Sequence, residues 1–471
     1  MMKINVAKKK ASNPTMALMG LTLFVLMIIV LGQNQYFFLA SLQSFITSTS
    51  HTISHHSDHG DTSKQKSLRA QDQPLEPFSS APKSIIRCDR SHYFYDICSI
   101  NGPTIFDPFE STFYDMDSIN KNETNIIVEK IKPYPRKWEN FTMGQIKEFT
   151  LTTGPLSPPC LIHHKAQALV FCLGGYTGNF FHDINDGFIP LFITVNSLFP
   201  NQDFILVISK LEDWWVQKYK DLLQSFSNYP IINIDKENVT HCFPSATLGL
   251  MSHSFMNIDP KLTPSSKTLI DFHKFLATTY GTGQSQLQPQ SRPRLILASL
   301  DGNVGHLILN QDELRVVTEQ IGFEVILLKP RKNTSLHESF GLIHSSHAMI
   351  GVHGAALTHA LFLRPSSIFI QIIPIGAEGV SDLCFGRLAR GMKLVYEEYK
   401  IGVEESSLME KFGKENSLVL KHPKALQKNG WSKEIMDIYL REQNIKLDLN
   451  RFRIYLAKAF KKAQVYMAIK G

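Results

Sequence analysis

Six cysteines in 471 residues, none of them in a CxxC pair, give neither a zinc-ribbon pattern nor the density of a disulfide-stapled mini-scaffold. Glycine has no fixed period, which excludes a collagen-like fibre. Charge is sparse as well: 19% of residues are Asp, Glu, Lys or Arg, and the net +7 is unevenly placed. The first 84 residues hold eight Lys/Arg against four Asp/Glu, so the rest of the chain carries 41 against 38. A body this close to neutral lacks the concentrated basic face that nucleic-acid binding requires. What is present instead is apolar, 43% of the chain with 10% aromatic, enough to build the cores of two or three ordinary domains.

One segment is long and apolar enough to cross a bilayer. Residues 16–32, MALMGLTLFVLMIIVLG, are uncharged, and a second apolar patch follows at 36–40; about 20 residues span the hydrocarbon core. Lys3, Lys8, Lys9 and Lys10 precede the run and the thirty residues after it have no Lys or Arg, so the positive-inside bias keeps the N-terminus cytosolic and the remainder lumenal. The expected organisation is a cytosolic tail at 1–15, a transmembrane anchor at 16–35 and a disordered Ser-, His- and Pro-containing stem at 36–84. A cleaved signal peptide is the alternative, and no small-x-small site closes the run. His51, His55, His56 and His59 in the stem are too irregularly spaced for a metal tract and read as solvated. Sequons at Asn122, Asn140, Asn238 and Asn333 agree with a lumenal chain. In that oxidising setting Cys88 and Cys98 are expected to close a short disulfide loop, while Cys172, inside an apolar run, reads as a buried thiol. The pairing of Cys160, Cys242 and Cys384 stays open.

From residue 168 onward, strand-length apolar runs alternate with segments of helical period, the pattern of parallel α/β units. Strands are expected at 168–173, 204–208 and 230–234, with helices near 184–198 and 213–226. Residues 281–293, GTGQSQLQPQSRP, read as a linker between an N-terminal domain at 85–280 and a second α/β domain at 294–400. The second series runs strand 294–299, helix 311–321, strand 323–328, helix 336–346, strand 348–352, helix 355–362 and strand 367–373. A closing segment, 401–471, ends in an amphipathic helix over 451–466. The fold class is therefore α/β, with two halves facing each other across a cleft.

Ligands of open α/β sheets bind beyond the carboxyl ends of strands, where N–H groups at a helix start attract anions. Two segments fit. In FCLGGYTGNFFHDIND, 171–186, a strand runs into Gly174, Gly175 and Asn179 ahead of His182 and Asp183, an adjacent pair able to accept a proton; the bland reading makes Asp183 a helix N-cap. In AMIGVHGAALTHALFL, 348–363, a strand delivers His353, Gly354 and Ala355 to a helix start suited to a phosphate.

These segments, with CDRSHYFYDICSINGP (88–103), PRLILAS (293–299), GFEVI (322–326) and above all MIGVHGAALTHALFLRPSSIFIQIIPIG (349–376), resemble plant members of glycosyltransferase family 61 over about residues 85–465. The resemblance implies a type II Golgi membrane protein with a two-domain, Rossmann-like GT-B body that moves xylose or arabinofuranose from a UDP-sugar to xylan, inverting the anomeric carbon and needing no metal cofactor. It implies Asp183 or His182 as general base, the turn Gly174, Gly175 and Asn179 on the acceptor side, and His353, Gly354, Ala355, Glu378 and His306 on the nucleotide-sugar. Oligomers with other Golgi transferases would fit the same setting. The chain departs from the family's pattern in one loop: SLDGNVGHLILN follows the strand at 294–299, and no arginine occurs from 295 to 314. That departure motivates an alternative, a non-catalytic glycan-binding or assembly subunit; a third reading is transfer of a different sugar such as N-acetylglucosamine, or of xylose, to glycoprotein glycans.

Overall fold

The computed structural model describes residues 85–470 apart from 117–125, 155–156, 202, 282–290, 300–304, 414–417 and 430–431. The expected tail, anchor and stem, Asn122 and most of the expected linker lie outside the described residues. Among those described, no helix is long and apolar enough to cross a membrane.

The described residues build three sheets. The parallel strands that position the site are β1 (Gln167–Cys172), β2 (Phe204–Ser209), β3 (Arg294–Ala298), β4 (Glu324–Leu328), β5 (Ala348–Val352), β6 (Ile368–Ile373) and β7 (Val395–Lys400). β1 and β2 pair in parallel at the centre of a six-stranded sheet that also holds Ile86–Asp89, Ile97–Ile100, Ala246–Leu248 and Ile232–Asn233. β3 to β7 form a five-stranded sheet in the order β4-β3-β5-β6-β7, parallel throughout. Both sheets are fed by near-continuous apolar runs, as strands covered on two faces must be. The third sheet, six strands between Thr104 and Phe243, has no counterpart in the sequence reading.

Its role follows from the period of two. Leu169 and Phe171 of β1 and Leu206 and Ile208 of β2 face the helices, in the large core shared with β3 to β6. Ala168, Val170, Ile205 and Val207 face the other way, against Phe106, Phe113, Phe149 and Leu151 of the third sheet. That sheet thus replaces one helical layer of the first half.

The helices close the other faces. α1 starts at Phe180–His182, passes through a π-helical stretch Asp183–Phe188 and continues as Ile189–Leu198. α2 is Asp213–Lys218, α3 Leu269–Tyr280, α4 Gln311–Ile321, α5 Leu336–His344 and α6 Leu449–Lys470. α6 buries Phe452, Leu456, Ala459, Ala463 and Tyr466, spaced three and four apart along one face. The core does not divide at the expected domain boundary: α3 contributes Leu269, Phe272, Leu276 and Tyr280 to the same cluster as β5 and β6. His273 of α3 also reaches the carbonyl of Leu361 at 2.7 Å, so the two halves are packed together.

Cys88 and Cys98, facing each other across an antiparallel strand pair, form a disulfide. A second joins Cys160 to Cys242, leaving Cys172 and Cys384 as buried thiols. Cys160, His163 and Cys242 lie close enough together to hold a metal, but two of the three sulfur or nitrogen ligands are consumed by that disulfide. Asn140, Asn238 and Asn333 are exposed.

Candidate active site

A crevice of about 230 Å³ opens between the two halves, at the carboxyl ends of β1, β4 and β5. It lies beside the point where the order of the five-stranded sheet reverses, β3 next to β5, which is where α/β sheets bind ligands.

One wall is the glycine turn after β1. Gly175 and Gly178 adopt φ of 69° and 102°, angles that side chains resist, and Gly178, Asn179 and Phe180 face the crevice. Asn179, not Asp183, caps α1: its side-chain oxygen accepts from the Phe181 N–H at 3.0 Å. Asp183 fastens the turn from behind. Its Oδ1 accepts from the Gly178 N–H at 3.0 Å and from Trp215 Nε1 at 3.2 Å, and its Oδ2 from the Tyr219 hydroxyl at 2.8 Å. Burial pushes its carboxyl up, against these hydrogen bonds.

His182 is turned inward too. Its Nδ1 lies 2.7 Å from Asp186 Oδ2, and its ring stacks on Tyr176 at 4.5 Å. Asp186 also accepts from Arg136 Nε at 2.8 Å, and Arg136 Nη1 donates to Glu139 at 3.0 Å. Burial alone would raise Asp186, but the Arg136 guanidinium and the His182 ring outweigh it and hold the carboxyl well below the usual carboxylate range. Neither His182 nor Asp183, the pair expected to move a proton, lines the crevice. His182, which ends the turn Phe180–His182, and Asp183, which opens the π-helical stretch, are both buried in the body of the first half.

The opposite wall is the turn after β5. Gly354 is extended, and Leu357 is the first residue to bond back, to the Gly354 carbonyl at 2.9 Å, so the Ala355 and Ala356 N–H groups precede the first helical bond. Ala355 and Ala356 face the crevice. His353 sits behind them, with Nδ1 3.2 Å from Gln371 Nε2; Gln371 Oε1 accepts from the Tyr396 hydroxyl at 2.6 Å. With the amide so oriented, His353 is a neutral ring bearing its proton on Nε2, and burial lowers its pKa to about 3.

His306 is a strut. Its Nδ1 lies 2.7 Å from the His353 carbonyl and its Nε2 3.1 Å from that of Tyr439, so both nitrogens face backbone acceptors rather than a ligand. Burial keeps the ring neutral, so it donates one proton, and the Tyr439 carbonyl also accepts from Gln443 Nε2 at 3.3 Å. Replacing His306 with leucine removes that one hydrogen bond and should cost about 1–3 kcal/mol in denaturant unfolding. Arginine at this position would be no gain, because the site is buried and already filled. Glu378 lines a different crevice, of about 460 Å³, between the exits of β6 and β7 and the segment Leu420–Ala425.

The cations of the site come from places the sequence reading did not single out. Lys218, at the end of α2, and Arg331 and Lys332, just beyond β4, line the first crevice. Burial lowers the pKa of Lys218, Asp183 opposes that shift, and the charge of Lys332 adds to it, so two ammonium groups face a shared space. Arg331 and Lys332 were visible in KPRKN directly after an expected strand; Lys218 had no distinguishing signal. Positive charge at the crevice therefore does not depend on the loop that lacks arginine.

A crevice built from two strand-exit turns and three cations suits a diphosphate, and relatives narrow the class. The family model described as glycosyltransferase 61 matches residues 180–370. A xylan glycosyltransferase of Arabidopsis thaliana is 36% identical over 422 residues, 85% of this chain and 84% of that protein. The chain belongs to glycosyltransferase family 61. An alpha-1,3-arabinosyltransferase of Oryza sativa subsp. japonica is 32% identical over 421 residues, covering 88% of this chain and 70% of that one. A beta-1,2-xylosyltransferase of the same organism is 32% identical over 400 residues, 80% and 84% of the two chains. The family 61 model spans residues 180–370, so it takes in the β5 turn, Lys218 and the Arg331–Lys332 segment, and begins directly after the glycine turn.

Proposed function

We propose that this chain transfers a pentose, xylose or arabinofuranose, from a UDP-sugar to a xylan-type polysaccharide with inversion, from a GT-B body anchored in the Golgi membrane and facing the lumen. The observation that carries the reading is the convergence of Lys218, Arg331 and Lys332 on the Ala355 and Ala356 end of the β5 turn, between the two halves. Inverting transfer builds negative charge on the departing UDP, and fixed cations in a half-closed site stabilise that charge as it forms. The names of the relatives supply the sugar class and the acceptor.

The second crevice fits the nucleoside. In the strand order the two crevices lie two to three positions apart, roughly 12 Å at the usual spacing between strands. His353 and Gly354, at the exit of β5, lie between them, and Glu378 would face the ribose. The apolar run at 16–32 and the exposed Asn140, Asn238 and Asn333 support the lumenal placement.

Three side-chain cations take the place of a divalent ion, so EDTA is expected to leave turnover unchanged. A loss of more than about tenfold, reversed by Mn²⁺ or Mg²⁺, would contradict this assignment. The function itself is tested by UDP release from UDP-xylose, UDP-arabinofuranose and UDP-N-acetylglucosamine with xylan oligosaccharides. Acceptor-dependent release from a UDP-pentose is the expected result; release only from UDP-N-acetylglucosamine, or none, would refute it.

A further inference from the structure

With Asp183 and His182 turned inward, the crevice still needs a group able to take the acceptor's proton. His359 lines it, on the 3-10 helix Ala355–Phe362 and across from the glycine turn. Its Nδ1 lies 2.9 Å from the Ala356 carbonyl oxygen, which only accepts, so that nitrogen carries the proton and the neutral ring presents Nε2 as an acceptor. The ring is held by Phe180, with centroids 4.3 Å apart, and by Phe362 at 5.7 Å. Both its tautomer and its orientation are therefore fixed before any ligand arrives.

We infer that His359 is the proton acceptor of the transfer: its Nε2 takes the proton of the attacking xylan hydroxyl while the cations hold the departing UDP. The inference rests on the donor site proposed above. In the step, the hydroxyl oxygen forms the new bond to the anomeric carbon and its proton passes to Nε2. The bond from that carbon to the β-phosphate oxygen breaks, and its electron pair leaves with UDP. The products are the glycosylated chain, UDP and an imidazolium that returns its proton to solvent.

The charges around the ring suit this sequence. Burial, and then the nearby Lys218, lower the pKa of His359 to about 4, so the ring stays neutral in the empty crevice. Arg331 and Lys332 face it from the segment beyond β4, while His273 and His344 bond the Leu361 and Phe362 carbonyls at the far end of the same helix. A bound diphosphate brings negative charge among those cations and raises the proton affinity of the imidazole. The base is thus strengthened by the donor it serves, which favours donor binding ahead of the acceptor.

His359→Asn tests the role, because the asparagine amide can still donate to the Ala356 carbonyl while Nε2 is lost. On the full-length protein it should lower kcat by about 10² to 10⁴, with UDP affinity within about twofold of wild type. Undiminished turnover overturns the inference. So does a parallel loss of UDP affinity, which would make His359 a donor contact. If wild type itself binds no UDP, the donor site falls and the inference with it; if wild type binds UDP and the variant keeps its turnover, the inference alone falls. Should the variant not fold, carbethoxylation of the wild-type protein answers: His359 should be modified at Nε2 with loss of transfer, and saturating UDP should protect it. An unmodified His359, or modification without loss, overturns the inference.

Discussion

Arg136→Met is expected to destabilise the protein by about 3–5 kcal/mol, because removing one partner of a buried ion pair strands the other charge. Arg136 is fully buried and holds two carboxylates, Glu139 at 3.0 Å and Asp186 at 2.8 Å. Its guanidinium also lies over the rings of Trp138, Tyr176 and Phe255 at 5.6, 5.1 and 5.3 Å, so methionine keeps the packing and loses the charge. The pH dependence has a definite sign. In the wild type Asp186 titrates below the ordinary carboxylate range, so its contribution is present above about pH 4 and fades as pH falls through its folded pKa. Without Arg136 the same carboxyl keeps only His182 against the upward push of burial, so its proton affinity rises and acid relieves the variant by protonating it. Denaturant unfolding at pH 7.5 and pH 5 should therefore show a gap between the two proteins that narrows in acid. A gap of the same size at both pH values would mean that the guanidinium acts through packing alone.

Arg331→Ala combined with Lys332→Ala is expected to weaken UDP binding by about 10² to 10⁴, the value of two charge-assisted hydrogen bonds. Both residues are exposed on the segment beyond β4, so the unfolding midpoint should barely move. Wild-type affinity should also fall with added salt, since the cations sit in a half-open crevice. Calorimetry on the full-length variant decides: affinity within twofold of wild type would place the diphosphate elsewhere. Turnover should fall as well, because the same cations stabilise the leaving group and not only the bound donor.

The parallel sheets were legible because buried parallel strands announce themselves as apolar runs. QALVFC, FILVIS, RLILA and AMIGV became β1, β2, β3 and β5 within a residue or two of expectation. The third sheet was not, since its strands are four residues or fewer and mix polar with apolar positions, as in VEKI and FTLT. β7, VYEEYK, is six residues long and hid because its charged residues break the apolar run. At the site, glycines at strand exits revealed both turns, whereas the inward placement of Asp183, and of His182 against Asp186, involves a π-helical stretch over 183–188 that leaves no periodicity to read. Gln371 was visible as the one polar residue in the run IFIQII, but its use, holding the His353 ring, needs Tyr396 from the neighbouring strand. His359 lay in plain sight in the motif AALTHALF; only the carbonyl of Ala356 and the opposing Phe180 distinguish it from a core histidine.

Hydrogen–deuterium exchange on the full-length protein, with and without saturating UDP, bears most directly on where the donor sits. Protection is expected together at the glycine turn around 174–181, at 330–336 and at 353–359, with a separate patch at 401–403 and 420–425 from the nucleoside. Protection confined to other segments, or none at a UDP concentration that saturates binding, would contradict a donor site between the two halves.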